Sequence, residues 1–195
     1  MGLGVLEQTT PEVVTVKTMS LPPKCMALLK ACRAREASRY AIQHAFAIDG
    51  AIYTTDGRIA ASVTPPENGT KLDDGTYLMV GNELFKPVEY NGGRYPKAND
   101  AFLSDNDKVE EMAGDDKSIL TAMVKHKIYL DVFKFYKALR ALSSMELSNR
   151  WLHIKTGILC YPVMVSGQYS LLGGKTHKWG IRVVMMTFDP QINKV

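Results

Sequence analysis

Histidine and cysteine are the residue types in this sequence that most readily hold a metal ion. Structural zinc sites usually present their ligands in close pairs, such as Cys-x-x-Cys or His-x-x-x-His, and neither spacing occurs here. We therefore expect no metal and no cofactor, and we expect the cysteines to be buried as small hydrophobic residues. Three cysteines also favour a reducing compartment over a disulfide framework. The residues considered are His44, His126, His153, His177, Cys25, Cys32 and Cys160.

Phosphate-binding, nuclease and nucleophile motifs are each incomplete. Gly173–Thr176 is similar to the end of a phosphate-binding loop, but Tyr169 stands where the first glycine is required. Ser166 lies outside any Gly-x-Ser-x-Gly elbow and has no matching partners near it in the sequence. Four carboxylates that could form a metal site each lie within two residues of a following glycine, so turns explain them more simply. They are Asp49, Asp56, Asp73 and Asp74. The sequence thus predicts a protein that is not an enzyme; the alternative is an enzyme whose site is assembled from scattered residues.

Positive charge is concentrated on two predicted helices. The net charge is only +4, yet many of the acids gather between residues 100 and 116. The first helix is predicted from Pro23 to about Ser38, and the second from about Leu130 to Ser144. Long cationic side chains on such helices can reach a phosphate backbone without reading bases. An ordinary solvated helix surface is the alternative. The predicted DNA-binding residues are Lys24, Lys30, Arg33, Arg35, Lys134, Lys137 and Arg140.

The apolar residues of the same helices indicate which side faces a sheet. On the second helix, a sector of about 120° contains most of the large apolar residues. Leu130 and Phe133 lie instead toward the basic side, and we expect them to contact a protein partner. On the first helix, four residues share the predicted buried face: Cys25, Leu28, Leu29 and Cys32. The sector on the second helix contains Val132, Phe135, Tyr136, Leu139 and Leu142.

The remaining segments predict strands joined by short turns. Asp49-Gly50 and Asp56-Gly57 are strong hairpin signals because both residue types accept positive φ. Residues 1–20 are predicted as an N-terminal arm or edge strand. Residues 21–195 are predicted as a single domain in which a helix followed by strands occurs twice, with a long acidic loop at 91–124. The predicted fold is α+β, with two helices packed on antiparallel sheets. Without a stretch of about 20 apolar residues or a signal peptide, we expect a cytoplasmic protein that makes no membrane contact.

Several segments, in order along the chain, resemble the DNA sliding clamps of bacteria and their phages, the polymerase III beta subunit family. Residues 21–40 are similar to the family's opening helix and its basic, Ser-Arg-Tyr type end. Thr54–Ala60 resembles its Ala-Thr-Asp-Gly-His-Arg-Leu-Ala segment, although no His precedes Arg58. The other similar segments are Asn91–Pro96, Tyr129–Leu142 and Val183–Met186, the last with Met185 in place of the family's proline.

This resemblance implies that residues 21–195 form a single clamp-like domain and that the protein is a processivity factor in DNA replication. It also implies a homo-oligomer, because clamp rings of this family contain six such domains and the chain corresponds to about one. The alternative is a clamp relative that does not close into a ring. Its partners would be DNA, bound non-specifically through the backbone, and a polymerase or another replication protein. The alternative is a small protein-interaction or inhibitor module of phage origin that docks through Leu130, Phe133 and the acidic loop and does not bind DNA.

Overall fold

The computed structural model describes residues 15–35, 42–90, 95, 102, 109–113, 116–125, 132–155, 162–170 and 178–186. These residues form three helices: α1 (Pro23–Cys32), α2 (Asp116–Lys125) and α3 (Val132–Ser143). They also form ten strands. The first six are β1 (Thr15–Ser20), β2 (Ala45–Ile48), β3 (Ala51–Thr55), β4 (Ile59–Thr64), β5 (Gly75–Val80) and β6 (Glu83–Pro87). The last four are β7 (Val109–Ala113), β8 (Ser148–Lys155), β9 (Pro162–Ser170) and β10 (Lys178–Met186).

All ten strands join one antiparallel sheet in the order β1-β6-β5-β2-β3-β4-β10-β9-β8-β7. β4 and β10 meet in the middle, where Val63 is the register partner of Ile181. On either side of this pair the strands run outward in decreasing chain order. β3, β2 and finally β1 lie on one side, and β9, β8 and β7 on the other. The β5–β6 hairpin is inserted between β2 and β1. The predicted α+β class with an antiparallel sheet is confirmed.

Each half of the sheet comes from a strand, a helical segment and three further strands. The first half contains β1, α1, β2, β3 and β4, together with the inserted β5–β6 hairpin, and the second contains β7, α2 with α3, β8, β9 and β10. The predicted succession of helix and strands, twice along the chain, therefore corresponds to the two halves of one sheet. The predicted edge strand is present as β1, which pairs with β6; residues 1–14 lie outside the described residues.

The two Asp-Gly turns form as predicted. Asp49 and Gly50 have φ angles of 51° and 76°, which is the conformation of a two-residue hairpin turn between β2 and β3. At the next turn, Asp56 Oδ1 accepts hydrogen bonds from the backbone N–H groups of Arg58 and Ile59, at 3.0 and 3.1 Å. The Asp56 carboxylate thus serves its own turn, as the sequence indicated, whereas Asp73 pairs with Lys86 and Asp74 accepts a hydrogen bond from the backbone N–H of Asp49.

Helix α1 presents its predicted face to the core, but it is shorter than predicted. Cys25, Leu28, Leu29 and Cys32 are all buried. The helix ends at Cys32 because Arg33 adopts an extended conformation. Beyond it, the N–H of Ala34 points at the carbonyl oxygens of Ile42 and Thr55, at 3.1 and 3.2 Å. These sheet-side acceptors draw the chain away from the helix axis, so the predicted extension to Ser38 is wrong.

Helix α3 packs against α1, and this contact sets its buried face. Ala138 and Leu142 are fully buried, whereas Tyr136 is 62% exposed. The prediction that Tyr136 belongs to the buried sector is therefore wrong. The small Ala138 side chain lets the two helices approach closely, so the buried sector is centred on Ala138 and Leu142. Tyr136, at the margin of the predicted sector, is left on the solvent side.

The prediction of an acidic loop over residues 91–124 is wrong for its second part, which forms β7 and most of α2. β7 contains Glu110 and Glu111 and pairs with β8 at the sheet edge, with Met112 opposite Leu152. Backbone pairing with β8 outweighs the weak strand propensity of its two glutamates. Of residues 91–108, only Tyr95 and Phe102 are described.

The two faces of the sheet bury different residues. On the face that packs against α1 and α3, which we call the helix face, strand residues such as Ile52, Ile181 and Val183 join the main core. On the other side, which we call the opposite face, Tyr53 and Val184 belong to a smaller cluster with Tyr95 and Phe102. The Phe46 and Tyr95 rings stack there at 4.6 Å.

Candidate functional site

Charge is segregated on the helix pair formed by α1 and α3. The sequence of α1 contains two lysines and that of α3 contains two lysines and an arginine, and neither helix contains an acidic residue. Described acids such as Asp49, Glu83 and Glu111 lie on turns and strands instead. The pair therefore presents positive charge to solvent over the helix face, and this surface is the main candidate site.

On the α1 side, the side chains of three of the four predicted cations are held by the protein itself. Lys30 Nζ donates a hydrogen bond to the carbonyl oxygen of Gly81 at 2.5 Å, and Arg33 Nη1 donates to that of Gln43 at 3.2 Å. Lys24 Nζ lies 5.9 Å from the centre of the Tyr169 ring, within cation–π range. Arg35 is exposed, and its carbonyl oxygen accepts a hydrogen bond from Gln43 Nε2. The side chains of Lys24, Lys30 and Arg33 therefore contact neighbouring turns and strands, whereas Arg35, among the described residues, takes part only through its backbone.

Histidine does not add positive charge beside α1 at physiological pH. Burial, together with the positive charge of Arg33, lowers the pKa of His44 below its ordinary value of 6.5. The imidazole is therefore neutral at physiological pH. The charge of this region comes from its lysines and arginines alone.

On the α3 side, the cations are available to a ligand. Arg140 is exposed and Lys137 is half-buried, and neither side chain forms a hydrogen bond or ion pair with the residues that the structure describes. Lys134 belongs to α3, but its side chain lies outside the description. Leu130, predicted to contact a partner, lies outside the described residues altogether.

Two aromatic side chains accompany the cations on α3. Phe133 is 78% exposed, as its predicted position toward the basic side requires, and Tyr136 is 62% exposed. With Lys137 and Arg140 they occupy positions i, i+3, i+4 and i+7, which form one helical stripe. Sequence reasoning assigned Tyr136 to the core and so missed this mixture of rings and cations. The signal was the position of Tyr136 at the margin of the apolar sector.

The opposite face carries a chain of polar side chains across three strands. Glu111 Oε1 on β7 lies 3.0 Å from His153 Nδ1 on β8, and His153 Nε2 lies 2.8 Å from Ser166 Oγ on β9. The sequence alone did not indicate this chain, because His153, which contacts Ser166, and Glu111, which contacts His153, come from distant segments. An acid, an imidazole and a hydroxyl in this order are the arrangement that activates a serine nucleophile.

The surroundings of Ser166 favour a structural role for this chain. Acyl transfer also needs N–H donors directed at the developing oxyanion. Ser166 lies inside β9, between its register partners Trp151 and Arg182, where backbone N–H groups take part in the sheet ladders. We therefore interpret the contacts among Glu111, His153 and Ser166 as polar interactions that link β7, β8 and β9 at one end of the sheet.

The comparisons with known proteins identify no family for the chain. A scan against protein-family models found no match, and a search of curated proteins also found none. Among the described residues, no group of three or more histidines, cysteines, aspartates or glutamates could hold a metal ion. No helix in the described part of the chain has both the length and the apolar character needed to cross a membrane.

Proposed function

We propose that this protein is a non-catalytic, clamp-like protein that associates with duplex DNA through the solvent side of α3. The observation that carries the proposal is the segregation of charge: α1 and α3 contain only cationic charged residues. A phosphate backbone attracts such a surface without regard to base sequence. Lys137 and Arg140 are the cations on this surface whose side chains are not engaged by described residues.

The sheet supports a clamp-like architecture as well. Its two halves meet at β4 and β10, and each half contributes a helix to the same face. β1 and β7 end the sheet, and within the described residues each pairs with one strand only. Edge strands have backbone groups available for pairing with another chain. A ring assembled from several copies would use these two edges, and a polymerase or other replication protein would be a further partner.

The direct test of the proposed function is binding of a labelled DNA duplex, followed by fluorescence anisotropy at low salt. The double charge reversal Lys137→Glu/Arg140→Glu should weaken binding at least tenfold. A matched control, Lys71→Glu/Lys178→Glu, changes the net charge equally at exposed positions away from α3 and should retain most of the affinity. Equal losses in the two variants would reduce the effect to net charge and would contradict a site on α3.

Ring formation is tested by the native mass in solution, measured by size-exclusion chromatography with light scattering. A closed oligomer would support assembly through β1 and β7, especially one that totals six clamp-like domains. A monomer at concentrations well above the Kd for DNA would rule out a self-assembled ring. DNA binding by α3 would then be tested by the anisotropy experiment alone.

A protein-interaction module is the second candidate, favoured by exposed apolar side chains on α2 and α3. Val124 is 81% exposed and Leu120 lies one turn before it on the same helix. Phe133 extends the exposed apolar surface on α3. A stable complex with another protein, retained after nuclease treatment and lost on Val124→Lys or Phe133→Lys substitution, would favour this function over DNA binding.

A further inference from the structure

The exposed rings of α3 are not explained by contact with duplex phosphates. Phe133 and Tyr136 have 78% and 62% of their surfaces exposed, so both present apolar area to water at a cost in free energy. In a duplex the bases are stacked on one another inside the helix, and only their edges face the grooves. Contact with the backbone of a duplex therefore does not explain the two exposed aromatic rings.

The position of the rings among the cations indicates the kind of ligand that fits them. Phe133 and Tyr136 are one helical turn apart, with Lys137 and Arg140 on the same stripe. Surfaces that hold single-stranded nucleic acid combine aromatic rings, on which bases stack, with cations that follow the backbone. A stripe made only for a protein partner would not require cations that lack partners among the described residues.

We propose that the stripe formed by Phe133, Tyr136, Lys137 and Arg140 binds single-stranded nucleic acid, with unpaired bases stacked on the two rings and phosphates bound by the two cations. The inference rests on the proposed function and refines it: the surface would recognise a junction or a region where duplex gives way to single strand. Stacking is tolerant of sequence because every base has an aromatic face. The site would therefore have little base preference.

The opposite face provides an aromatic control for this inference. Trp151 is 48% exposed on β8, on the side of the sheet away from α1 and α3. It is directly followed by Leu152, which points into the main core. Trp151 is thus an exposed ring of comparable size that has no place in the stripe. Replacing it tests whether any exposed ring contributes to binding.

The experiment measures anisotropy of a labelled oligothymidine and of a labelled duplex, side by side, with the full chain. The variant Phe133→Leu/Tyr136→Leu keeps apolar side chains but removes the rings. It should bind oligothymidine about tenfold more weakly than the unmodified protein, and duplex within twofold. Trp151→Leu should change neither affinity. Circular dichroism and thermal unfolding of each variant confirm that the fold is retained.

Four other results would contradict the inference, and one of them would contradict the proposed function as well. If the leucine variant binds oligothymidine as well as the unmodified protein does, the inference is overturned while duplex binding stands. If the unmodified protein binds neither nucleic acid, the proposed function fails and the inference fails with it. If the leucine variant loses both affinities equally, the rings have no special role with unpaired bases. Capture of a protein partner by the rings, with unchanged binding of oligothymidine, would also overturn the inference.

Discussion

Helices α1 and α3 have similar composition and pack against each other, but their cationic side chains differ in their contacts with the rest of the protein. On α1, Lys30 is bound to a loop carbonyl oxygen and Lys24 lies over a tyrosine ring. On α3, Lys137 and Arg140 make no such contacts with described residues, and exposed rings lie beside them. A lysine count alone therefore does not identify a binding surface. The difference lies in whether the protein itself already satisfies each cation.

The largest expected effect is on stability, and it distinguishes a substitution on the buried side of α3 from one on its solvent side. Leu142 is 1% exposed and belongs to the main core, so Leu142→Ala should lower the free energy of unfolding by about 2–5 kcal/mol. Tyr136→Ala on the solvent side should change it by less than about 0.5 kcal/mol. Urea denaturation followed by circular dichroism measures both. A large loss in the Tyr136 variant would place that side chain in the core after all.

The second prediction concerns the buried thiol on α1. Burial raises the pKa of Cys25 from 9.0 to about 12. Above pH 9 the thiol ionises in the unfolded chain but stays protonated in the folded protein, so its contribution to stability is full below pH 9 and falls as the pH rises. The loss is about 1.4 kcal/mol per pH unit while the folded thiol stays neutral.

Unfolding measured from pH 8 to pH 10.5 tests this prediction. The variant Cys25→Ala is less stable overall because it leaves a cavity, but its stability should decline less steeply above pH 9. Identical slopes in the two proteins would mean that Cys25 is not buried in solution.

A smaller effect tests how α1 is attached to the sheet. Thr54 is fully buried, and its Oγ1 donates a hydrogen bond to the Leu29 carbonyl oxygen at 2.9 Å. Thr54→Val keeps the shape but leaves that carbonyl without this donor, and should cost about 1–3 kcal/mol. Thr54→Ser retains the hydroxyl and serves as the control. If the valine variant is more stable than the serine variant, the hydrogen bond does not anchor α1.

The smallest expected effect distinguishes the lysines of the two helices. Lys30→Met removes the bond to Gly81 and should cost no more than about 1 kcal/mol, because the interaction is exposed to solvent. Lys137→Met should leave stability unchanged while weakening duplex binding severalfold. On the same samples, thermal unfolding measures the change in stability and fluorescence anisotropy measures the change in duplex affinity. The reverse pattern, with Lys30 critical for binding, would exchange the roles of the two helices.

Local signals in the sequence were sufficient for the hairpins and the helix faces. Asp49-Gly50 predicted its turn because positive φ is a property of the residues themselves, and Cys25 to Cys32 predicted the buried face of α1 through spacing alone. The end of α1 was missed because acceptors from distant residues, Ile42 and Thr55, set it. β7 was missed because its glutamates have little strand propensity without β8 beside them. Helix α2 did carry a periodic signal, in Ile119, Leu120, Met123 and Val124.

The candidate site was predictable only in part. Spacing placed Lys137 and Arg140 together, opposite the apolar side of α3. It did not reveal that Lys30 and Arg33 donate hydrogen bonds to Gly81 and Gln43, which lie 51 and 10 residues away in the sequence. The exposure of Tyr136 depended on where α1 packs against α3. The chain from Glu111 through His153 to Ser166 depended on strand register, which the sequence alone does not fix.

The most direct test of the account is the salt dependence of duplex affinity for paired neutral variants of the two helices. Lys137→Gln/Arg140→Gln should reduce the slope of log Kd against log salt by nearly 2, because each lost phosphate contact contributes about 0.9. Lys24→Gln/Lys30→Gln should leave the slope nearly unchanged. If the α1 variant loses as much slope as the α3 variant, or the α3 variant loses none, the claim that α3 carries the DNA contact is contradicted.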